Sequence, residues 1–117
     1  MTTPKDSAPL TSQRCMECRP GTPTLPPEEV ERLLPQVPGW TLSDDGNGLQ
    51  WTKRFADFAE ALAFVNKVGD IAEAEDHHPD FRIHGYRNVD LDLSTHSIGG
   101  LSRNDFIMAA KISAVVP

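Results

Sequence analysis

Residues 57–75, DFAEALAFVNKVGDIAEAE, decide the fold class because they contain the strongest helical pattern of the chain. Asp57, followed three residues later by Glu60, resembles a capping box with Asp in the cap position. Apolar side chains then recur at spacings of three and four, which predicts one continuous apolar face. That predicted face consists of Phe58, Ala61, Leu62, Val65, Val68 and Ala72. We therefore expect a long amphipathic helix from Asp57 to about Glu75, ended by the approach of Pro79.

Two pairs of short strands flank this helix in the sequence. Before it, Trp40–Leu42 and Leu49–Phe55 are separated by the turn-forming run 44–48, which predicts a β-hairpin. After it, Phe81–His84 and Tyr86–Ser94 are separated by a glycine, and apolar and polar residues alternate along the second segment. Such alternation is typical of a strand with one buried face.

A helix is predicted at each end of this arrangement. The first runs from about Pro27 to Leu34, and the last from about Arg103 to Ala114, capped by Ser102. The predicted order is helix, strand, strand, helix, strand, strand, helix. We therefore predict an α+β domain with a four-stranded antiparallel sheet and three helices packed on one face.

The bulk composition indicates a single domain with a polar N-terminal segment. The chain has 117 residues, enough for one modest core. Residues 1–24 are rich in Thr, Ser, Pro and charge, so we predict a flexible tail there and the folded domain at residues 25–117. The sequence has neither a long apolar run nor an apolar N-terminal segment, and we expect a cytoplasmic protein without a membrane span.

The charge balance argues against nucleic acid as a partner. The formal net charge is -6, and the basic residues are scattered along the chain. Phosphate neutralisation requires clustered Lys and Arg. A small molecule or a protein is the expected partner.

Cys15 and Cys18 form one C-x-x-C pair in the predicted tail. A structural zinc site needs four ligands, and the chain has no second cysteine pair. A thioredoxin-type motif opens a helix, whereas Arg19-Pro20-Gly21 follows this pair. We therefore expect both cysteines to lie outside the active site.

The histidines are the main candidates for chemistry. His77, His78 and His96 lie within twenty residues of one another, and imidazole is the side chain that most readily exchanges protons near neutral pH. Glu73 precedes His77 by four residues, so both would share one helix face. A nearby carboxylate and the helix C-terminus both favour a protonated imidazole, which predicts His77 as a general acid.

Other uses of these residues stay open on the sequence alone. Several histidines can bind a metal, although adjacent rings such as His77 and His78 rarely converge on one ion. A histidine at a helix end or a strand end is also commonly a surface residue. Asp105 follows Ser102 at capping-box spacing and needs no further role.

The spacing of these residues resembles the signature of the pterin-4a-carbinolamine dehydratases, also called 4a-hydroxytetrahydrobiopterin dehydratases. In that pattern Glu73 is followed by His77-His78-Pro79, then by Tyr86, His96 and Asp105. The neighbouring segments agree over residues 25–115. They are Leu34-Pro35, Pro38-Gly39-Trp40, the series Phe55, Phe58, Ala61 and Phe64, Thr95-His96, and Gly100-Leu101-Ser102.

The resemblance implies a hydro-lyase that removes water from a 4a-hydroxytetrahydropterin without a metal or redox cofactor. It implies His77 and His96 as the acid/base pair, His78 as a positioning residue, Glu73 as the partner of His77, and Asp105 as the partner of His96. The segments that border the pterin would be His77, His78 and Pro79 with Thr95, His96, Ser97 and Ile98. Ile98 stands where many members have Cys, which removes a polar side chain at that position.

The resemblance also bears on assembly and partners. Members form homodimers or homotetramers, and their reaction supports aromatic amino acid hydroxylases such as phenylalanine hydroxylase. Animal members also act as dimerisation cofactors of a transcription factor. A non-catalytic assembly role is therefore the alternative to the enzyme.

Overall fold

The computed structural model describes residues 9–117 and contains three helices and one four-stranded sheet. The elements are α1 (Pro27–Leu33), β1 (Thr41–Leu42), β2 (Leu49–Arg54), α2 (Phe58–Glu75), β3 (Asp80–His84), β4 (Asn88–Leu93) and α3 (Arg103–Ser113). This is the predicted α-β-β-α-β-β-α order, so the α+β fold class is confirmed. None of the helices in residues 9–117 is long and apolar enough to cross a membrane.

The sheet has the strand order β1-β2-β4-β3, and all neighbouring strands are antiparallel. In the central pair, Leu49 lies opposite Leu93 and Trp51 lies opposite Leu91. Directly opposite residues share a face of the sheet. One face is therefore apolar and covered by the helices, while the other presents Asp90 and Asp92.

α2 begins where its cap predicts, but the face that it buries differs from the predicted one. The carboxylate of Asp57 accepts a hydrogen bond from the backbone N–H of Glu60 at 2.8 Å. Phe58 and Leu62 are exposed, whereas Phe64 is buried and its ring packs 5.1 Å from the ring of Phe55. α2 carries apolar residues along two stripes of its surface. The stripe that contains Phe64 faces the core, and the stripe that contains Phe58 and Leu62 faces outward. The buried residues of α2 are Ala61, Phe64, Val68 and Ala72.

Part of the predicted tail packs against the domain. Leu10 begins a short 3-10 helix and is 4% exposed within the hydrophobic core. Further along, the backbone N–H of Cys15 donates to the carboxylate of Glu75 at 2.8 Å. Composition alone predicted flexibility for residues 1–24; the part of that prediction that falls on residues 1–8 lies outside the described residues. Over residues 9–18 the segment has few apolar side chains, but hydrogen bonds to residues distant in the sequence hold it against the domain.

Candidate functional site

The C-terminus of α2 sets the direction of the two adjacent histidines. Asp76 takes the left-handed conformation at φ 52°, and the backbone N–H of His77 reaches the carbonyl of Ala72 at 3.2 Å. This is the bond of a Schellman-type helix end. His77 therefore lies beyond the helix, and its side chain does not follow the helical face on which Glu73 lies.

His77 is held by a buried carboxylate on α3. Its Nε2 lies 2.7 Å from Oδ1 of Asp105, and the two side chains are 12% and 0% exposed. The second oxygen of Asp105 accepts from the Thr95 hydroxyl at 2.8 Å and from the Ser102 backbone N–H at 3.0 Å. The capping box predicted for Ser102 and Asp105 is present, and the same carboxylate also fixes the imidazole.

His78 makes the other histidine–carboxylate pair. Its Nε2 lies 2.6 Å from Oε2 of Glu73, and both side chains are exposed. The predicted pairing was therefore wrong in both parts: Glu73 contacts His78, and Asp105 contacts His77. The physical reason is the turn at Asp76, because four-residue spacing brings side chains together only while the helix continues.

His96 is presented by a short loop at the end of β4. Thr95 and Gly100 close the loop through a backbone N–H···O bond of 2.9 Å, and His96 begins a 3-10 turn within it. Gly99 ends the turn at φ 71°, a conformation that residues with a Cβ seldom adopt. The loop leaves His96 exposed.

One polar cleft of about 470 Å³ brings the three histidines together. This volume lies within the range of small-molecule pockets, about 300–1,000 Å³. Of the residues predicted to border a ligand, the lining contains His77, His78, Thr95, His96 and Ser97. The lining does not include Pro79, Ile98, Glu73 or Asp105. Glu73 contacts His78, and Asp105 contacts His77 and Thr95, all of which line the cleft.

A second wall of the cleft comes from the N-terminal segment, which the sequence analysis placed outside the active site. Its lining residues are Cys15, Met16, Glu17 and Cys18, and Glu75 and Asn104 complete the wall. Both cysteines thus lie beside the histidines in one cleft. Nothing local in the sequence links residue 16 to residue 104, so only the C-x-x-C spacing could have drawn attention to this segment.

Two groups beside the cleft have shifted pKa values. The pKa of Glu75 is lowered, chiefly because Lys111 Nζ donates a hydrogen bond to its carboxylate at 2.8 Å. The pKa of the Cys15 thiol is raised to about 12, first by burial and then by the negative charge of Glu75. Cys15 is thus a protonated thiol at neutral pH, and thiols in this form are poor nucleophiles.

Within residues 9–117, no group of three or more His, Cys, Asp or Glu side chains is arranged to hold a metal ion. The three imidazoles that line the cleft can each donate or accept a hydrogen bond and exchange a proton.

Comparison with known sequences decides the family. The family described as Pterin 4 alpha carbinolamine dehydratase matches residues 23–115. The chain belongs to this family. A Methylococcus capsulatus protein, named provisionally as a pterin-4-alpha-carbinolamine dehydratase, is 49% identical over 107 residues, covering 92% of this chain and 93% of that protein. A Stenotrophomonas maltophilia protein with the same provisional name is 47% identical over 110 residues, covering 94% of each chain.

Two solved structures have the same fold as this chain. A transcriptional coactivator/pterin dehydratase from Brucella melitensis matches with a TM-score of 0.75 and 32% identity, over 81% of this chain and 100% of that one. A pterin dehydratase-like protein identified as a RuBisCO assembly factor matches with a TM-score of 0.56 and 21% identity, over 65% of this chain and 87% of that one. The second likeness concerns the fold alone.

Proposed function

We propose that this protein catalyses the dehydration of a 4a-hydroxytetrahydropterin to the quinonoid dihydropterin. The single observation that carries the proposal is the convergence of His77, His78 and His96 on one cleft, with His77 fixed by the buried carboxylate of Asp105. The family membership of the chain supports the same substrate class.

The reaction needs only proton transfers. The hydroxyl on C4a leaves with one added proton as water, while N5 loses a proton and its electron pair forms the C4a–N5 double bond. A positioned acid and a positioned base can each exchange a proton through imidazole, and such general acid–base help contributes about 10²–10⁴-fold. No metal or redox cofactor enters these steps.

We assign His77 and His96 as the acid/base pair and His78 as a positioning residue. Because Nε2 of His77 is engaged with Asp105, Nδ1 is the nitrogen left to exchange a proton with the substrate. His96 lies on a different loop and can act from another side of the ligand. His78 is held by an exposed carboxylate, which suits a residue that adapts to the substrate.

The test is stopped-flow measurement with chemically prepared 4a-hydroxytetrahydropterin. We expect the wild-type protein to accelerate dehydration and His77→Ala or His96→Ala to lower kcat by about 10²–10⁴-fold. His78→Ala should mainly raise KM. The matched control is His84→Ala, because His84 contacts Asp90 on β4 and does not line the cleft.

Two outcomes would contradict this assignment. A wild-type rate equal to the spontaneous rate in buffer refutes the enzyme proposal. Wild-type turnover in both His77→Ala and His96→Ala refutes the roles of the two residues. Treatment with EDTA is expected to leave the rate unchanged.

The physiological setting follows from the proposed reaction. The product is the substrate class of a dihydropterin reductase, and a pterin-dependent hydroxylase such as phenylalanine hydroxylase would supply the carbinolamine. We place this cycle in the cytoplasm and propose a homodimer or homotetramer.

Protein binding is the second candidate function. The observation that favours it is the pair Phe58 and Leu62, which are 50% and 42% exposed and lie one turn apart on α2. Size-exclusion chromatography with light scattering would test whether this surface joins copies of the chain. We expect Leu62→Glu to lower the oligomeric state. Ala63→Glu, at the next exposed position, should change the oligomeric state less than Leu62→Glu does.

A further inference from the structure

We propose that residues 13–18, here called the strap, form a substrate-binding wall of the cleft, and that Met16 determines pterin affinity by covering the planar ring. This inference rests on the proposed function and adds a specificity residue to it. The strap does not take part in the proton transfers.

Asn104 holds the strap at Met16 through both backbone groups. The side-chain oxygen of Asn104 accepts from the Met16 N–H at 2.9 Å, and the side-chain nitrogen donates to the Met16 carbonyl at 2.5 Å. Asn104 is 5% exposed and lies beside Asp105 in the first turn of α3. The same turn of α3 therefore positions His77 through one side chain and the strap through the next.

Two further contacts tie the strap to the elements that carry the histidines. The Cys15 N–H donates to Glu75 at the end of α2, at 2.8 Å. The Ser97 hydroxyl, in the loop that presents His96, donates to the Cys18 carbonyl at 2.7 Å. The strap thus bridges both sides of the cleft, and its backbone is fixed before a ligand arrives.

Met16 is the residue of the strap best placed to meet an aromatic ligand. Its backbone is held by Asn104, yet its residue exposure is 68%, the largest among the exposed large hydrophobic residues of the described chain. Met16 lines the cleft that contains the histidines. A thioether is flexible and packs favourably on aromatic rings. The pterin ring would bury apolar surface that is otherwise left in water.

The C-x-x-C pair acts as a clamp on Asn104. The Cys15 thiol donates to the Asn104 carbonyl at 3.6 Å, and the Asn104 side-chain nitrogen donates to Cys18 Sγ at 3.5 Å. The spacing of three residues thus places one sulfur on the backbone and one on the side chain of the same asparagine. The Cys15 pKa of about 12 agrees with a packing role rather than a nucleophilic one.

The experiment measures ligand binding and turnover separately. Biopterin, a stable pterin without a hydroxyl on C4a, is titrated into the 117-residue protein by calorimetry, and KM and kcat are measured with the 4a-hydroxytetrahydropterin. We expect Met16→Ala to raise the biopterin Kd and KM by about fivefold to tenfold with little change in kcat. This pattern is expected because Met16 would contact the bound substrate and the transition state equally. Met16→Leu should restore most of the affinity. Thr11→Ala, just outside the strap, is the matched control.

A second variant tests the positioning of the strap. Asn104→Ala removes both contacts to Met16 and should raise the same Kd by a similar factor. Hydrogen exchange should accelerate at residues 15–18 while the strands of the sheet stay protected. Unchanged exchange in the strap would contradict the role of Asn104. Since Asn104→Ala could unfold the domain, Met16→Ala remains the deciding variant.

The outcomes separate this inference from the proposed function. Turnover by the wild-type protein with an unchanged Kd and KM in Met16→Ala overturns the inference and leaves the enzyme intact. Absence of turnover with biopterin binding that depends on Met16 refutes the enzyme and supports the strap. Met16 also lines a second cavity shared with Leu25 and Ile107, so a lower melting temperature without a change in Kd likewise overturns the inference. Absence of both turnover and biopterin binding overturns both.

Discussion

His77 and His78 are adjacent, and each contacts one carboxylate, but the two pairs lie in different surroundings. The distances are nearly equal, 2.7 Å to Asp105 and 2.6 Å to Glu73. The side chains of the first pair are 12% and 0% exposed, and those of the second are 53% and 80% exposed. Contact distance therefore does not distinguish these pairs, and burial does.

The difference separates a fixed residue from an adaptable one. Water and salt screen an exposed pair, which typically contributes about 0.2–1 kcal/mol. Removing one partner of a buried pair leaves the other without compensation and costs about 3–5 kcal/mol. His77 is consequently held in one geometry, whereas the exposed contact of His78 is weak enough to exchange with water.

The largest expected effect comes from breaking the buried pair. Asp105→Ala should lower the free energy of unfolding by about 3–5 kcal/mol, because Thr95, Ser102 and His77 all lose an acceptor. Urea denaturation followed by tryptophan fluorescence measures the loss. Asp57→Ala, which removes the cap of α2, is the control and should cost about 1 kcal/mol. If both variants lost the same free energy of unfolding, the burial of Asp105 would make no contribution to stability beyond that of an ordinary helix cap.

A smaller effect is expected for the partly buried pair formed by Glu75 and Lys111. Because the pKa of Glu75 is lowered in the folded state, its charged form stabilises the fold above the unfolded pKa of about 4.3, and this contribution is lost as pH falls through the folded pKa. Glu75→Gln should cost about 1–2 kcal/mol at neutral pH.

The pH dependence is the sharper part of that prediction. Urea denaturation of Glu75→Gln and wild type should give a stability difference that shrinks below the unfolded pKa. Lys111→Met should reproduce the trend, since it removes the same hydrogen bond. A stability difference that is independent of pH would contradict the assigned cause.

The smallest effect is expected for the exposed pair. Glu73→Gln should change the free energy of unfolding by less than about 1 kcal/mol, and added salt should reduce the difference further. The same denaturation series measures it. A loss as large as that of Asp105→Ala would remove the contrast between the two pairs.

The sequence predicted the fold well because its signals are local. The caps at Asp57 and Ser102 and the alternating pattern along β4 depend on neighbouring residues, and each is found where it was expected. The clustering of His77, His78 and His96 in the sequence drew attention to the histidines of the cleft, and the family resemblance added a role for each. Phe64 was missed because α2 carries two apolar stripes, and only packing against Phe55 and Trp51 selects one.

The partners of the histidines could not be predicted in the same way. The rule for residues four apart assumed a helix that continued to His77, and the left-handed Asp76 ends it earlier. The strap was missed because Met16 and Asn104 are separated by 88 residues, and neither has a local pattern that indicates the other.

Asp76 also limits how this part of the protein can evolve. A left-handed residue other than glycine is tolerated mainly as Asp or Asn, because their short polar side chains can bond locally. Single-nucleotide changes from an aspartate codon reach Asn and Gly, which keep the turn, but also Val, whose branched side chain opposes it. A substitution at this one position can therefore displace His77 and His78 without altering either residue.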